Sequence, residues 1–172
     1  MTDVIETDKI VLDACCGGRM FWFDKNHPDV LYVDKEVRPR GCISQQSSFS
    51  CSPDLVADFR QLPFKDETFK LVVFDPPHRK NLVEKSIFRQ KYGSLNKETW
   101  QEDLAAGFRE CWRVLDNHGV LVFKWSETFI PLKIVLALFS ERPLFGHPTW
   151  ANGKTIWCVF FKNIKSKEVR GA

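Results

Sequence analysis

The sequence predicts an α/β fold built on a mostly parallel sheet, and three observations carry that prediction. A short apolar run, residues 9 to 16 (Lys-Ile-Val-Leu-Asp-Ala-Cys-Cys), is followed by Gly17-Gly18, the punctuation of a buried strand entering a tight turn. Three further short runs, 30–34, 55–59 and 71–75, each end in or beside an acid: Asp34, Asp58 and Asp75. Between residues 100 and 115 the apolar positions switch to helical spacing before another strand begins.

The first strand, 9–16, leads into Gly17-Gly18-Arg19 and an expected aromatic helix start at Met20-Phe21-Trp22-Phe23. Paired glycines there allow backbone to approach a ligand closely. The run is not G-x-G-x-x-G and no P-loop lysine follows, so phosphate binding has little support. Val30-Leu31-Tyr32-Val33-Asp34 is the second strand. Its terminal acid lies about 20 residues beyond Asp13, the spacing at which doubly wound folds place an acceptor for ribose hydroxyls. Residues 37 to 54, rich in Ser and Gln with Pro39, Gly41 and Pro53, lack helical periodicity and read as a mobile loop.

Leu55-Val56-Ala57-Asp58-Phe59 is a short third strand, and Leu71-Val72-Val73-Phe74 a fourth, running straight into Asp75-Pro76-Pro77-His78. Two prolines fix φ and lack N–H donors, so the strand stops in a stiff turn that holds an acid and an imidazole at its carboxyl end. In open α/β sheets that end is where ligands bind. Taken alone, the tetrapeptide is equally a proline-stopped strand with a capping Asp and a surface His.

Trp100, Leu104, Phe108, Trp112 and Leu115 share one face of a helix that Asn117-His118-Gly119 closes. Val120 to Trp125 is the fifth strand, with Lys124 and Trp125 at its end. Pro131 opens a last helix through Phe139. Two antiparallel strands, near Leu144 to Pro148 and at Thr155 to Phe161, are joined by a hairpin over 149–154 containing Asn152-Gly153.

At 172 residues, 44% hydrophobic with 15 Phe, the chain reads as a single domain, 1–172 with a core about 9–162, able to bury about two thirds of its unfolded surface. No apolar run nears the roughly eighteen residues of a membrane helix, and residues 1 to 9 show no signal pattern, so a cytoplasmic protein without membrane attachment is expected. The six cysteines read as reduced thiols, and no C-x-x-C pair or nearby His completes a zinc set, so no metal is expected.

The net charge is only +3, but Arg79, Lys80, Lys85, Arg89 and Lys91 face a single Glu84 in residues 79–91, and Lys162, Lys165, Lys167 and Arg170 crowd the tail against Glu168. The first cluster can neutralise phosphates; the tail reads as solvated surface.

Strand, glycine turn, two strand-end acids, Asp-Pro-Pro-ring, long helix, strand, helix and terminal antiparallel hairpin together resemble the class I S-adenosylmethionine-dependent methyltransferases, and more narrowly the amino-methyltransferases of nucleic acid bases, over residues 9 to 162. The resemblance implies a three-layer Rossmann-like methyltransferase fold, with a mostly parallel seven-stranded sheet and an antiparallel C-terminal hairpin. It implies S-adenosylmethionine as cofactor: Asp13, Cys15 and Gly17 along its methionine part, Asp34 on the ribose, Asp58 and Phe59 on the adenine. It implies that Asp75 and the Pro76 carbonyl accept hydrogen bonds from the amino group to be methylated, with Pro77 holding the turn stiff and Asp75 adjoining the cofactor. His78 would stack on the target base.

Two positions depart from the pattern. His78 replaces the usual Tyr, Phe or Trp and titrates near neutrality; Cys15 stands where Gly is common. Target choice falls to the 79–91 segment, the 37–54 loop or a partner protein. The other readings are a methyltransferase for a protein amide or small-molecule amine, and a non-catalytic binding module.

Overall fold

The computed structural model describes residues 4 to 149 and 153 to 163. The sheet grows outward from β1 (Val11–Asp13), which pairs in parallel with β2 (Val30–Asp34) on one side and with β4 (Phe69–Phe74) on the other. β3 (Leu55–Val56) adds to the far edge of β2, and β5 (Leu115–Ser126) lies parallel to β4. β7 (Thr155–Phe161) then runs antiparallel to β5, and β6 (Phe145–Pro148) closes the edge antiparallel to β7. The resulting order is β3-β2-β1-β4-β5-β7-β6.

Strand order therefore reverses between β1 and β4, and the carboxyl ends of β1, β2, β4 and β5 open on the same side. That switch point is where an open α/β sheet leaves a crevice.

Alternation along the strands assigns two faces. Leu12, Val33, Val72, Phe74, Leu121 and Phe123 join the main core. Helix α2 (Trp100–Val114) covers this face with Trp100, Leu104, Gly107, Phe108, Cys111 and Val114 buried, the spacing its sequence predicts. Phe108 stacks on Phe139 at 4.1 Å between ring centroids, which brings the segment after α3 (Leu132–Leu136) onto the same core. On the opposite face a smaller cluster gathers Cys16, Val30, Tyr32, Ile43, Phe49 and Cys51. No helix among the described residues is long and apolar enough to cross a membrane.

Several expectations need correction. Residues 20 to 23 form turns, not a helix, because Trp22 Nε1 donates to the buried Asp13 carboxylate at 2.7 Å and draws the chain back across the strand end. The 37–54 segment is fastened rather than mobile. Arg38 and Cys51 exchange two backbone hydrogen bonds of 2.8 Å, Ser44–Gln46 make a 3₁₀ turn, and Ile43 and Phe49 are buried.

A short helix that the sequence did not signal, α1 (Ile87–Tyr92), overlaps the end of the basic segment. Finally, α2 ends at Val114, and β5 starts at once with a register irregularity before Val120. His118, at φ 62°, takes the left-handed conformation there, not Gly119. The 149–154 hairpin has Thr149 bonded to Thr155 O at 2.8 Å, and its centre, 150–152, lies outside the described residues. So do Lys165, Lys167 and Arg170 of the basic tail.

Candidate active site

At the switch point the strand ends enclose a cleft of about 360 Å³, within the range of small-molecule sites. One wall is the β1 turn. Gly17 sits at φ +48° with open space where a side chain would lie, and its N–H donates to Asp34 Oδ2 at 3.0 Å. Gly18 is packed so closely on Phe49 that a Cβ would come within 2.9 Å of the ring. The turn thus presents bare backbone to the cleft, and the acid at the end of β2 is tied to it.

The opposite wall is the exit of β4. Asp75 is half-buried, and both its oxygens are engaged: Oδ1 with His78 Nε2 at 2.7 Å and Oδ2 with Lys124 Nζ at 2.6 Å. Burial raises the Asp75 pKa, while the Lys124 ammonium opposes that shift. The ion pair therefore works against burial and favours the carboxylate form. Each carboxylate oxygen has a second lone pair, so one acceptor position per oxygen remains.

His78 differs from the side chain its position suggests. It is half-buried in the cleft wall and does not titrate near neutrality. Its ring stacks on buried Trp125 at 4.9 Å and 11°, and its Nδ1 accepts the Ser126 N–H at 2.5 Å. Burial, followed by the Lys124 and Arg79 charges, pushes its pKa down to about 3.

Cys15, Gly17, Asp34, Phe59, Asp75, Pro76, Pro77 and His78 all line the cleft. Asp13 and Asp58 do not. Asp13 is fully buried behind the glycine turn, its carboxylate accepting from Cys15 N at 3.2 Å as well as from Trp22. Burial raises its pKa to about 7. Asp58 turns instead to Arg60, at 2.6 Å. Cys15, the departure from a common Gly, is a half-buried thiol whose pKa burial and the nearby acids raise, so it adds wall rather than a nucleophile.

The fold adds residues that the sequence did not single out. Phe21, Met20, Phe129 and Ser126 all reach the cleft. Ser126 contributes a backbone N–H, which no residue type announces. At the rim, Arg79 lies between the rings of Phe88 and Phe129, 3.8 and 4.5 Å from their centroids, with Lys91 and Tyr92 beside them. This is a basic, aromatic mouth over an acidic floor.

No protein-family model and no curated protein matches the chain. Among solved structures it is similar to the PH0226 protein from Pyrococcus horikoshii OT3, with a TM-score of 0.51 and 17% identity over 89% of this chain and 81% of that one. It also aligns with the T. thermophilus 16S rRNA N2 G1207 methyltransferase (RsmC), solved in complex with AdoMet and guanosine. That TM-score is 0.46 at 15% identity, over 93% of this chain and 36% of that one. What this chain shares with PH0226 at such identity is the fold: a Rossmann-like α/β domain with a seven-stranded mixed sheet and an antiparallel carboxyl-terminal pair.

Proposed function

We propose that this chain is an S-adenosylmethionine-dependent methyltransferase acting on an exocyclic amino nitrogen of a nucleobase in RNA or DNA. The observation that carries the reading is the convergence of the Gly17 turn, Asp34 and the Asp75-Pro76-Pro77-His78 turn on one switch-point cleft. The bare backbone at Gly17 and the strand-end carboxylate of Asp34 fit the methionine and ribose parts of the cofactor, and Phe59 lines the same wall for its adenine ring. When bound, the cofactor supplies an electrophilic methyl group on a sulfonium.

The chain's own residues do the rest. The free lone pairs of Asp75 and the Pro76 carbonyl accept the two amino N–H groups, which favours rehybridisation of a nitrogen whose lone pair is delocalised into the base. The paired prolines keep those acceptors from relaxing away, so the amino nitrogen would be held in position for the methyl group the cofactor would supply, and the proton it gives up would pass to solvent. His78, backed by Trp125, offers its second face to the target base as a neutral ring. The Arg79, Phe88 and Phe129 rim and residues 79–91 suit phosphates and unstacked bases, and residues 79–91 or a partner protein would choose the target.

Calorimetric titration with S-adenosylmethionine and S-adenosylhomocysteine tests the cofactor. Micromolar affinity, about 8 kcal/mol, is expected. Labelled-methyl transfer to total RNA and unmethylated DNA then tests the acceptor. Nucleic-acid affinity that falls with salt, and falls less steeply in Arg79→Ala, supports the nucleobase reading over a protein amide or small-molecule amine. No binding of either cofactor form by a folded sample would overturn the catalytic reading.

A further inference from the structure

Two cysteines far apart in the chain meet beside the cleft. Cys16 lies in the turn after β1 and Cys51 at the end of the 38–51 loop, and both are buried, at 3% and 0% exposure. Their sulfur atoms and a carboxylate oxygen of Asp34 all lie within 4.8 Å of one another.

Backbone holds all three in place. Cys16 N–H donates to Val33 O at 2.8 Å, Cys51 is locked into the two-bond bridge with Arg38, and Asp34 ends β2. As thiols the two cysteines donate to backbone carbonyls, Cys16 Sγ to Gly17 O at 3.7 Å and Cys51 Sγ to Glu36 O at 3.4 Å, hydrogen bonds that metal binding would replace.

We propose that Cys16, Cys51 and Asp34 form a binding site for a thiophilic divalent cation, zinc or cadmium. Tetrahedral zinc with sulfur and oxygen bonds of roughly 2.0 to 2.3 Å needs its ligand atoms roughly 3.3 to 3.8 Å apart, and the three here lie within 4.8 Å of one another. Two thiolates and a carboxylate select such ions over magnesium or calcium.

Outer contacts suited to a metal site are already present. Gly17 N–H orients Asp34 Oδ2 at 3.0 Å, and the Arg38 guanidinium stands 3.8 Å from Oδ1. Two thiolates, one carboxylate and a dication sum to one negative charge, which faces Arg38, a guanidinium that also pairs with Glu36 at 2.9 Å. Cys16 and Asp34 also line the cleft, giving the ion a path in and a solvent molecule for the fourth position.

Binding exchanges two thiol protons, released to solvent, for two metal–sulfur bonds, with no change of oxidation state. Asp34 is also the proposed ribose acceptor. Under that reading, which the metal titration itself does not require, saturating zinc weakens binding of the cofactor.

The test is titration of the reduced, chelator-treated protein with cadmium, read by thiolate-to-metal charge-transfer absorbance, with zinc as competitor. One equivalent is expected to bind, tightening about 100-fold per pH unit as two protons leave. C16S and C51S are expected to lose the band, D34N to weaken it, and C42S, which alters an exposed cysteine, to keep it. Near-ultraviolet circular dichroism checks that each variant is folded; if C16S is not, C51S decides. A band that survives in folded C51S, or no saturable binding by folded wild type at micromolar cadmium, overturns the proposal.

Discussion

The backbone N–H of Ser126 donates to Nδ1 of His78 at 2.5 Å, and this contact decides which imidazole nitrogen carries the proton. With Nδ1 an acceptor, a neutral ring has its hydrogen on Nε2, directed at Asp75 Oδ1 2.7 Å away. Asp75 thus receives one neutral donor and one cation, His78 and Lys124, and stays an acceptor.

That arrangement has a pH signature. His78 is lowered to about 3 from 6.5, so it binds fewer protons folded than unfolded between those values. Its stabilising contribution is complete above pH 6.5 and lost as pH falls toward 3. Asp13 is raised to about 7 from 3.8, and its contribution is complete below 3.8 and lost as pH rises through 7. The two slopes oppose each other between roughly pH 4 and 6.5. Tm measured across that window is expected to rise with pH in Asp13→Asn and to fall in His78→Gln, with the wild type flatter than either.

Asp75→Ala removes the acceptor but not the cofactor walls at Gly17 and Asp34. Under the proposed function, methyl transfer is expected to drop by about 10²- to 10³-fold while S-adenosylmethionine affinity holds. Calorimetry beside a transfer assay separates the effects; joint loss would mark Asp75 as a structural residue.

Gly107 lets α2 approach the sheet. A Cβ there would lie 2.5 Å from Phe59 Cδ2 and 2.7 Å from Phe74 Cζ. Helix propensity favours Ala over Gly by about 1 kcal/mol, whereas overpacking costs about 1 to 3 kcal/mol. With two rigid rings in contact, the clash is expected to win. Urea unfolding of Gly107→Ala should show a lower midpoint, and because Phe59 lines the cleft, ligand affinity should fall with it.

Lys162 fastens the end of α2 to the sheet. Its ammonium donates to Trp112 O at 2.9 Å and Leu115 O at 2.6 Å, carbonyls at the end of α2, where intrahelical donors run out. Lys162→Met keeps much of the aliphatic stem and loses both bonds. A loss of about 1.5 to 3 kcal/mol in thermal or urea unfolding is expected.

The strands were legible because their residues obey period and punctuation. Val30 to Asp34 and Thr155 to Phe161 appear at the bounds their sequence suggests, and α2 starts at Trp100 as its apolar spacing implies. Less legible were the places where one distant contact outweighs local preference. Met20 to Phe23 has an apolar helix-like run, but the Trp22 hydrogen bond satisfies the buried Asp13 oxygen that Cys15 N does not reach. The 37–54 segment looks polar and loose, yet Ile43, Phe49 and Cys51 bury themselves against Tyr32.

By itself the sequence determined the α/β class, the strand-end acids and the stiff Asp75-Pro76-Pro77-His78 turn, since each follows from periodicity or backbone restriction within a few residues. Only the tertiary structure decided that Asp13 lies behind the cleft, that Lys124 and Ser126 govern Asp75 and His78, and that Cys51 meets Cys16. Those outcomes depend on pairings between strands and loops dozens of residues apart, whose energies no local pattern records.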